Sequence, residues 1–130
     1  MGQPLGIQLL AEIWECNPDK LNNLKLIEEI MVNAANKADA EIREVAFHRF
    51  EPQGVSGVVV ISESHFTIHT WPELGYAALD IFTCGEHVDP WVALEAITQE
   101  LNAEDAHVIE ISRGLKNLKR LKRTQKGEGP

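Results

Sequence analysis

The chain reads as an α+β domain: a two-layer sandwich of a mainly antiparallel sheet with helices on one face. Three observations predict it. The apolar patterns run in the order strand, helix, four strands, helix, strand. Short turns join the four consecutive strands, which suits antiparallel pairing. The segment Gly57-Val58-Val59-Val60-Ile61 is apolar on both parities, so both faces of its sheet need cover. Helices supply one cover. A chain of 130 residues has no second layer left for the other face, and the pattern predicts a homodimer packed sheet to sheet.

Each element has its own signal. Leu5 to Trp14 reads as a first strand. Asn17-Pro18-Asp19 then supplies a capping side chain, a proline at the first helical position and an acid in the first turn. Leu21, Leu24, Glu28, Met31 and Ala35 follow at three- and four-residue steps, predicting a helix over 18–37. Residues 42–50 read as the second strand, and Pro52-Gln53-Gly54 as a turn. The double-sided valine strand comes next, then a strand over 65–71 that Pro72 ends. Leu74-Gly75 turns the chain into a strand over Tyr76–Thr83. Asp89-Pro90 repeats the helix start, and Trp91, Leu94, Ile97 and Leu101 form its apolar stripe. Val108–Ile111 is a last short strand. One domain over residues 1–115 is expected, with a basic, flexible tail at 116–130; Leu115, Leu118 and Leu121 add a short helical turn where the two meet.

Composition narrows the function classes. Of the residues, 44% are hydrophobic, enough for a real core, and no apolar run is long enough to cross a membrane. The start of the chain lacks a basic segment followed by an apolar run, which argues against secretion. Cys16 and Cys84 are too few for a disulfide framework, so both are expected as free thiols in the cytoplasm. Net charge is −8, but residues 113–130 carry +6 and the remainder −14. An acidic body does not suit nucleic acid and favours a cationic ligand or product.

Residues 63–73 hold a serine, two histidines and two carboxylates on an otherwise strand-like segment: Glu63, Ser64, His65, His69 and Glu73. A serine beside a proton acceptor can attack a carbonyl, and the nearest one is the chain's own, at Glu63. Such an attack converts the amide to an ester. Loss of the serine α-proton then releases the upstream carboxylate, and the dehydroalanine left behind tautomerises to an imine, which takes up water and loses ammonia to give a pyruvoyl group. That ketone forms a Schiff base with an amine and draws electrons from a breaking Cα–carboxylate bond. Ordinary readings stand beside this one. Ser64 is also a strand-end serine, His69 an edge histidine, and Cys84 a small buried hydrophobe. His65, His69, Cys84 and His87 lack the Cys-x-x-Cys spacing of a structural zinc site, and no metal is expected. Asp80 shares the parity of Cys84 and is a candidate to tune it. In a flat strand His65, His69 and Trp71 share one face while Ser64 points to the other. Ser64 and His69 then meet only if the chain bends at 62–64 or is cut there.

Taken together, Glu63-Ser64-His65, Ile68-His69-Thr70 and Thr83-Cys84-Gly85 resemble the prokaryotic S-adenosylmethionine decarboxylase proenzymes, which are pyruvoyl-dependent. Trp14-Glu15-Cys16-Asn17-Pro18, Ala78-Leu79-Asp80, Val88-Asp89-Pro90 and Arg113-Gly114 extend the resemblance over roughly residues 5–115. It implies cleavage between Glu63 and Ser64, giving chains 1–63 and 64–130, with the pyruvoyl group made from Ser64. It implies that His69 takes the α-proton during maturation, that Ser56 assists, and that Cys84 returns a proton to the substrate. It assigns Glu73 to the ribose hydroxyls of S-adenosylmethionine, and Phe50 and Trp71 to its adenine. Without the resemblance, Glu73 is an exposed turn acid, and Phe50 and Trp71 are core or interface aromatics. It also implies a homodimer with shared sites and a product that donates aminopropyl groups for spermidine. Two other functions stay open to the residues themselves: a pyruvoyl decarboxylase of ornithine or arginine, and a dimeric binding protein that never cleaves.

Overall fold

The computed structural model describes residues 2–62 and 64–116. The expectations for the tail beyond Lys116, and for the Glu63 side of the cleavage bond, lie outside the described residues.

Six antiparallel strands form one sheet: β1 (Gly6–Trp14), β2 (Ile42–Arg49), β3 (Val55–Ile61), β4 (Ser64–Trp71), β5 (Tyr76–Cys84) and β6 (Asp105–Arg113). Their order across the sheet is β2-β3-β4-β5-β1-β6. β2 to β5 are successive neighbours, as the short turns require. β1 is inserted between β5 and β6, pairing with both. The helices are α1 (Pro18–Leu21), α2 (Leu24–Lys37) and α3 (Pro90–Glu100), with a 3-10 turn at Pro72–Leu74. The two longer helices pack on one face, so the α+β two-layer sandwich stands.

Strand alternation sorts the side chains. Leu9, Ala11, Ile13, Val55, Val59, Phe66, Ile68, Ala77, Leu79 and Ile81 point inward and are buried. They meet Ile27, Met31, Ala34, Leu94 and Ile97 from α2 and α3. Gly57 lies under Phe47 of β2: a Cβ there would overlap the ring, so glycine lets the edge strand seat an aromatic on the core. The opposite face carries Leu10, Trp14, Val60, Trp71 and Ile109, all at least 36% exposed. It is the uncovered side that the double-sided valine strand foretells.

Two expectations change. The helix over 18–37 is two helices, because Asn22 and Asn23 interrupt it. Asn23 caps α2 by accepting from Leu26 N at 3.1 Å. Asn22 accepts instead from Gly54 N at 3.0 Å, tying the β2–β3 loop to the helix layer. The last strand is also longer than Val108–Ile111. It runs beside β1 for nine register pairs, so main-chain pairing recruits Asp105, His107 and Arg113 despite their low strand preference.

Candidate active site

The site residues fall into two groups at opposite ends of β4. At one end, His69 faces Ser56 across the β3–β4 pair. Ser56 Oγ lies 2.7 Å from His69 Nδ1. Seen from the sheet, both belong to the open face. Together with Phe50, Gln53, Gly54, Thr70, Trp71 and Glu73 they line a cavity of about 350 Å³. Five of the residues singled out in the sequence are thus neighbours here: Phe50, Ser56, His69, Trp71 and Glu73.

Local structure explains why they converge. Pro72 ends β4 and opens the 3-10 turn that carries Glu73. Gly75 closes it in the left-handed region, φ 65°. Beneath the cavity, the buried Thr70 hydroxyl donates to Leu21 O at 2.8 Å and accepts from Val55 N at 2.9 Å. Phe50 sits edge-on to His48, with centroids 4.6 Å apart. Trp71 stacks on Tyr76 at 5.1 Å, and Tyr76 stacks on Trp14 at 4.4 Å. The Tyr76 hydroxyl donates to Glu12. Burial, together with that carboxylate, pushes the phenol up to about 12. Tyr76 and Trp14 were absent from the sequence candidates as site residues. The usable signal was the parity of Trp71 and Tyr76 on either side of a short turn, which places them opposite each other.

The other end holds Ser64 and Cys84. Ile61 lies opposite Ser64 in register, so only two positions, 62 and 63, separate β3 from β4. The chain therefore reverses direction between Ile61 and Ser64. Even so, the reversal does not bring Ser64 to His69. Ser64 keeps the inward parity of Phe66 and Ile68, while His69 points outward. Five strand steps also separate them, roughly 16 Å. The Ser64 hydroxyl is buried and has no hydrogen-bond partner among the described residues. Such an orphaned hydroxyl is unusual in a folded chain.

Cys84 ends β5 on the open face, with Gly6 opposite in β1. A Cβ on Gly6 would lie 2.6 Å from Thr83 O and 3.0 Å from Cys84 Sγ, so the thiol rests on bare backbone. A cavity of about 230 Å³ beside it is lined by Glu41, Ile61, Ser62, Cys84, His87 and Val88. Asp80 does not reach Cys84. It lies four residues up the strand, accepts from Gln8 Nε2 at 2.7 Å and stands 3.9 Å from His65 Nε2. His65 rests edge-on against Phe82, at 5.7 Å. Cys16 and Cys84 are both free thiols; burial pushes Cys16 up to about 11. No group of three or more His, Cys, Asp or Glu among the described residues is arranged to hold a metal. None of their helices is long and apolar enough to cross a membrane.

Comparison with known proteins supplies the family. The family model described as S-adenosylmethionine decarboxylase matches residues 7–114. An S-adenosylmethionine decarboxylase proenzyme of Caldicellulosiruptor saccharolyticus is 64% identical over 111 residues, covering 85% of this chain and 90% of that protein. Its counterpart in Moorella thermoacetica is 62% identical, covering 85% and 89%. The crystal structure of the adenosylmethionine decarboxylase from Aquifex aeolicus superposes with a TM-score of 0.84 at 30% identity, covering 93% of this chain and all of that one. By fold, by family model and by identity to named proenzymes, the chain belongs to the S-adenosylmethionine decarboxylase family.

Proposed function

We propose that the chain cuts itself before Ser64, and that the resulting pyruvoyl enzyme decarboxylates S-adenosylmethionine for spermidine synthesis, working as a homodimer with shared sites in the cytoplasm. A pyruvoyl group fits the residue at position 64: the serine hydroxyl is buried, has no partner among the described residues and lies opposite Ile61 at the start of β4. Once formed, such a group supplies an electrophilic ketone that takes up the electrons of a breaking carbon–carboxylate bond.

The remaining chemistry belongs to side chains. His69, bonded to Ser56, accepts a proton at an imidazole nitrogen during maturation. Cys84 holds a proton on Sγ for delivery to the substrate α-carbon. Glu73, on its exposed turn, accepts from vicinal hydroxyls of the ribose. Phe50 and Trp71 offer ring faces to the adenine and to the sulfonium charge. This pairing of aromatic faces with a diol-binding carboxylate supports a nucleoside substrate over a simple amino acid.

One observation carries the dimer: within a single chain, Ser64 and His69 are roughly 16 Å apart along β4, too far for one to act on the other. Two sheets packed face to face in antiparallel sense set the Ser64 end of one protomer over the His69 end of its partner. The exposed Leu10, Trp14, Val60, Trp71 and Ile109 supply the apolar surface for that contact. Mixing Ser64→Ala chains with His69→Ala chains tests the arrangement. Neither alone should mature. Refolded together, they should yield cleavage in the His69→Ala chain only, read by denaturing mass spectrometry. Absence of cleavage in the mixture, with wild-type chains maturing normally, would refute the shared site.

A further inference from the structure

The turn before Ser64 is held by a set of polar contacts that the roles above leave unexplained. The Ser62 hydroxyl donates to Glu41 Oε1 at 2.6 Å and accepts from Arg43 Nε at 3.0 Å. Arg43 also donates to Glu41 Oε1, at 3.3 Å. Below these, Ser62 N donates to the Glu41 main-chain carbonyl at 2.9 Å. Side chains and backbone thus hold one residue from the same neighbouring strand end.

The strand pairing shows how Arg43 reaches it. Ile42 pairs with Ile61 and Glu44 pairs with Val60, so Arg43 is an extra residue, a bulge in β2. Bulges re-aim side chains next to functional sites. This one turns the guanidinium toward the β3–β4 turn. Glu41 and Arg43 are both well exposed, and an exposed ion pair adds little to folding stability. Holding the fold together is therefore a poor reason for three polar groups and a bulge to meet on Ser62. The Ser62 bond first, then the Arg43 charge, hold the Glu41 carboxyl below its ordinary range, so it stays an acceptor through neutral pH.

We infer that Glu41 and Arg43 are positioning residues for self-cleavage: by gripping Ser62 they fix the turn on which the scissile carbonyl is presented to Ser64. This rests on the reading that the chain cuts itself before Ser64. In the step concerned, Ser64 Oγ bonds to the carbonyl carbon of residue 63. The carbon–nitrogen bond breaks, and the hydroxyl proton ends on the freed amine. Bond formation of this kind depends steeply on approach geometry, so a loosened turn slows it without unfolding the protein.

The experiment is a time course of precursor cleavage, followed by denaturing mass spectrometry. Ser62→Ala should cleave at least about 10-fold more slowly than wild type. Ser62→Thr, which restores the hydroxyl, should recover most of the rate. Glu41→Gln and Arg43→Ala should slow cleavage as well, and adding either to Ser62→Ala should bring little further loss. Hydroxylamine, which cuts esters and spares amides, should release less chain from Ser62→Ala at early times, locating the defect before ester breakdown. Melting temperatures in a Ser64→Ala background should not change. A Ser62→Ala chain that matures at the wild-type rate overturns the inference. So does a slowed chain that Ser62→Thr fails to rescue and that also melts earlier, since the residue would then serve the fold alone. Wild-type chain that never cleaves would instead count against self-processing itself.

Discussion

The two ends of β4 are built to different standards. At the His69 end, every element is braced. Ser56 meets His69, Thr70 bonds two backbone groups beneath them, and Trp71 leans on a stack of two further rings. At the Ser64 end, a buried hydroxyl has no partner among the described residues, two positions make the turn, and the grip on Ser62 comes from exposed side chains. One end resembles a finished receptor. The other, by the proposed function, is the end that changes its own covalent structure. The contrast teaches that one strand can carry a braced, cavity-lining end and a lightly held end that its own side chains do not bring together.

Removing the base should break the contrast most severely. His69→Ala should slow maturation by about 100-fold or more, since a positioned proton acceptor is commonly worth that much. The fold should persist, because His69 lies on the exposed face outside the core. Accumulation of intact chain, or of the ester form detectable with hydroxylamine, is the readout. Changing the receptor end should have a smaller, separable effect. Glu73→Gln loses charge-assisted acceptance from substrate hydroxyls, roughly 10-fold or more in affinity. It should raise KM for S-adenosylmethionine while maturation proceeds normally; unaltered steady-state kinetics would remove Glu73 from the site. The smallest effect sharpens the aromatic stack. Tyr76 is the chain's single tyrosine, so ultraviolet titration reports on it alone. Its midpoint should lie near pH 12. The folded-state value is raised, so the associated stability is fully present below about pH 10, the ordinary phenol value, and is lost as pH climbs toward the folded value. Glu12→Gln should move the midpoint down, and a midpoint near 10 in the unaltered protein would dissolve the Glu12 bond.

Much of this was legible because single residues report backbone events. Asn17-Pro18-Asp19 and Asp89-Pro90 mark helix starts that the structure places at Pro18 and Pro90. The alternation of Val58 and Val60 against Val59 and Ile61 exposes a second face that the helices do not reach. What stayed hidden depends on tertiary contacts. The apolar spacing from Leu21 to Leu24 continues straight across Asn22-Asn23, so periodicity alone merges two helices. Only the loop amide at Gly54 reveals why the break exists. The length of β6 follows from its pairing with β1 and not from its own composition. At the site, parity correctly separates Ser64 from His69, and the chain also reverses direction between Ile61 and Ser64. The expectation that a bend would unite them fails because five steps of extended strand remain between them.

The strand order has a consequence for the cut proposed before Ser64. Residues 1–63 contribute β1, β2 and β3, and residues 64–116 contribute β4, β5 and β6. Across the sheet these alternate as two from the first piece, two from the second, one from the first and one from the second. Two polypeptides cut there would therefore be woven into a single fabric, with β1 of the first clasped on both sides by the second. Severing the thread does not let either piece leave without tearing several ladders of hydrogen bonds. It does make denaturation a separation of two molecules, so recovery of the native sheet from unfolded, mature enzyme becomes dependent on dilution.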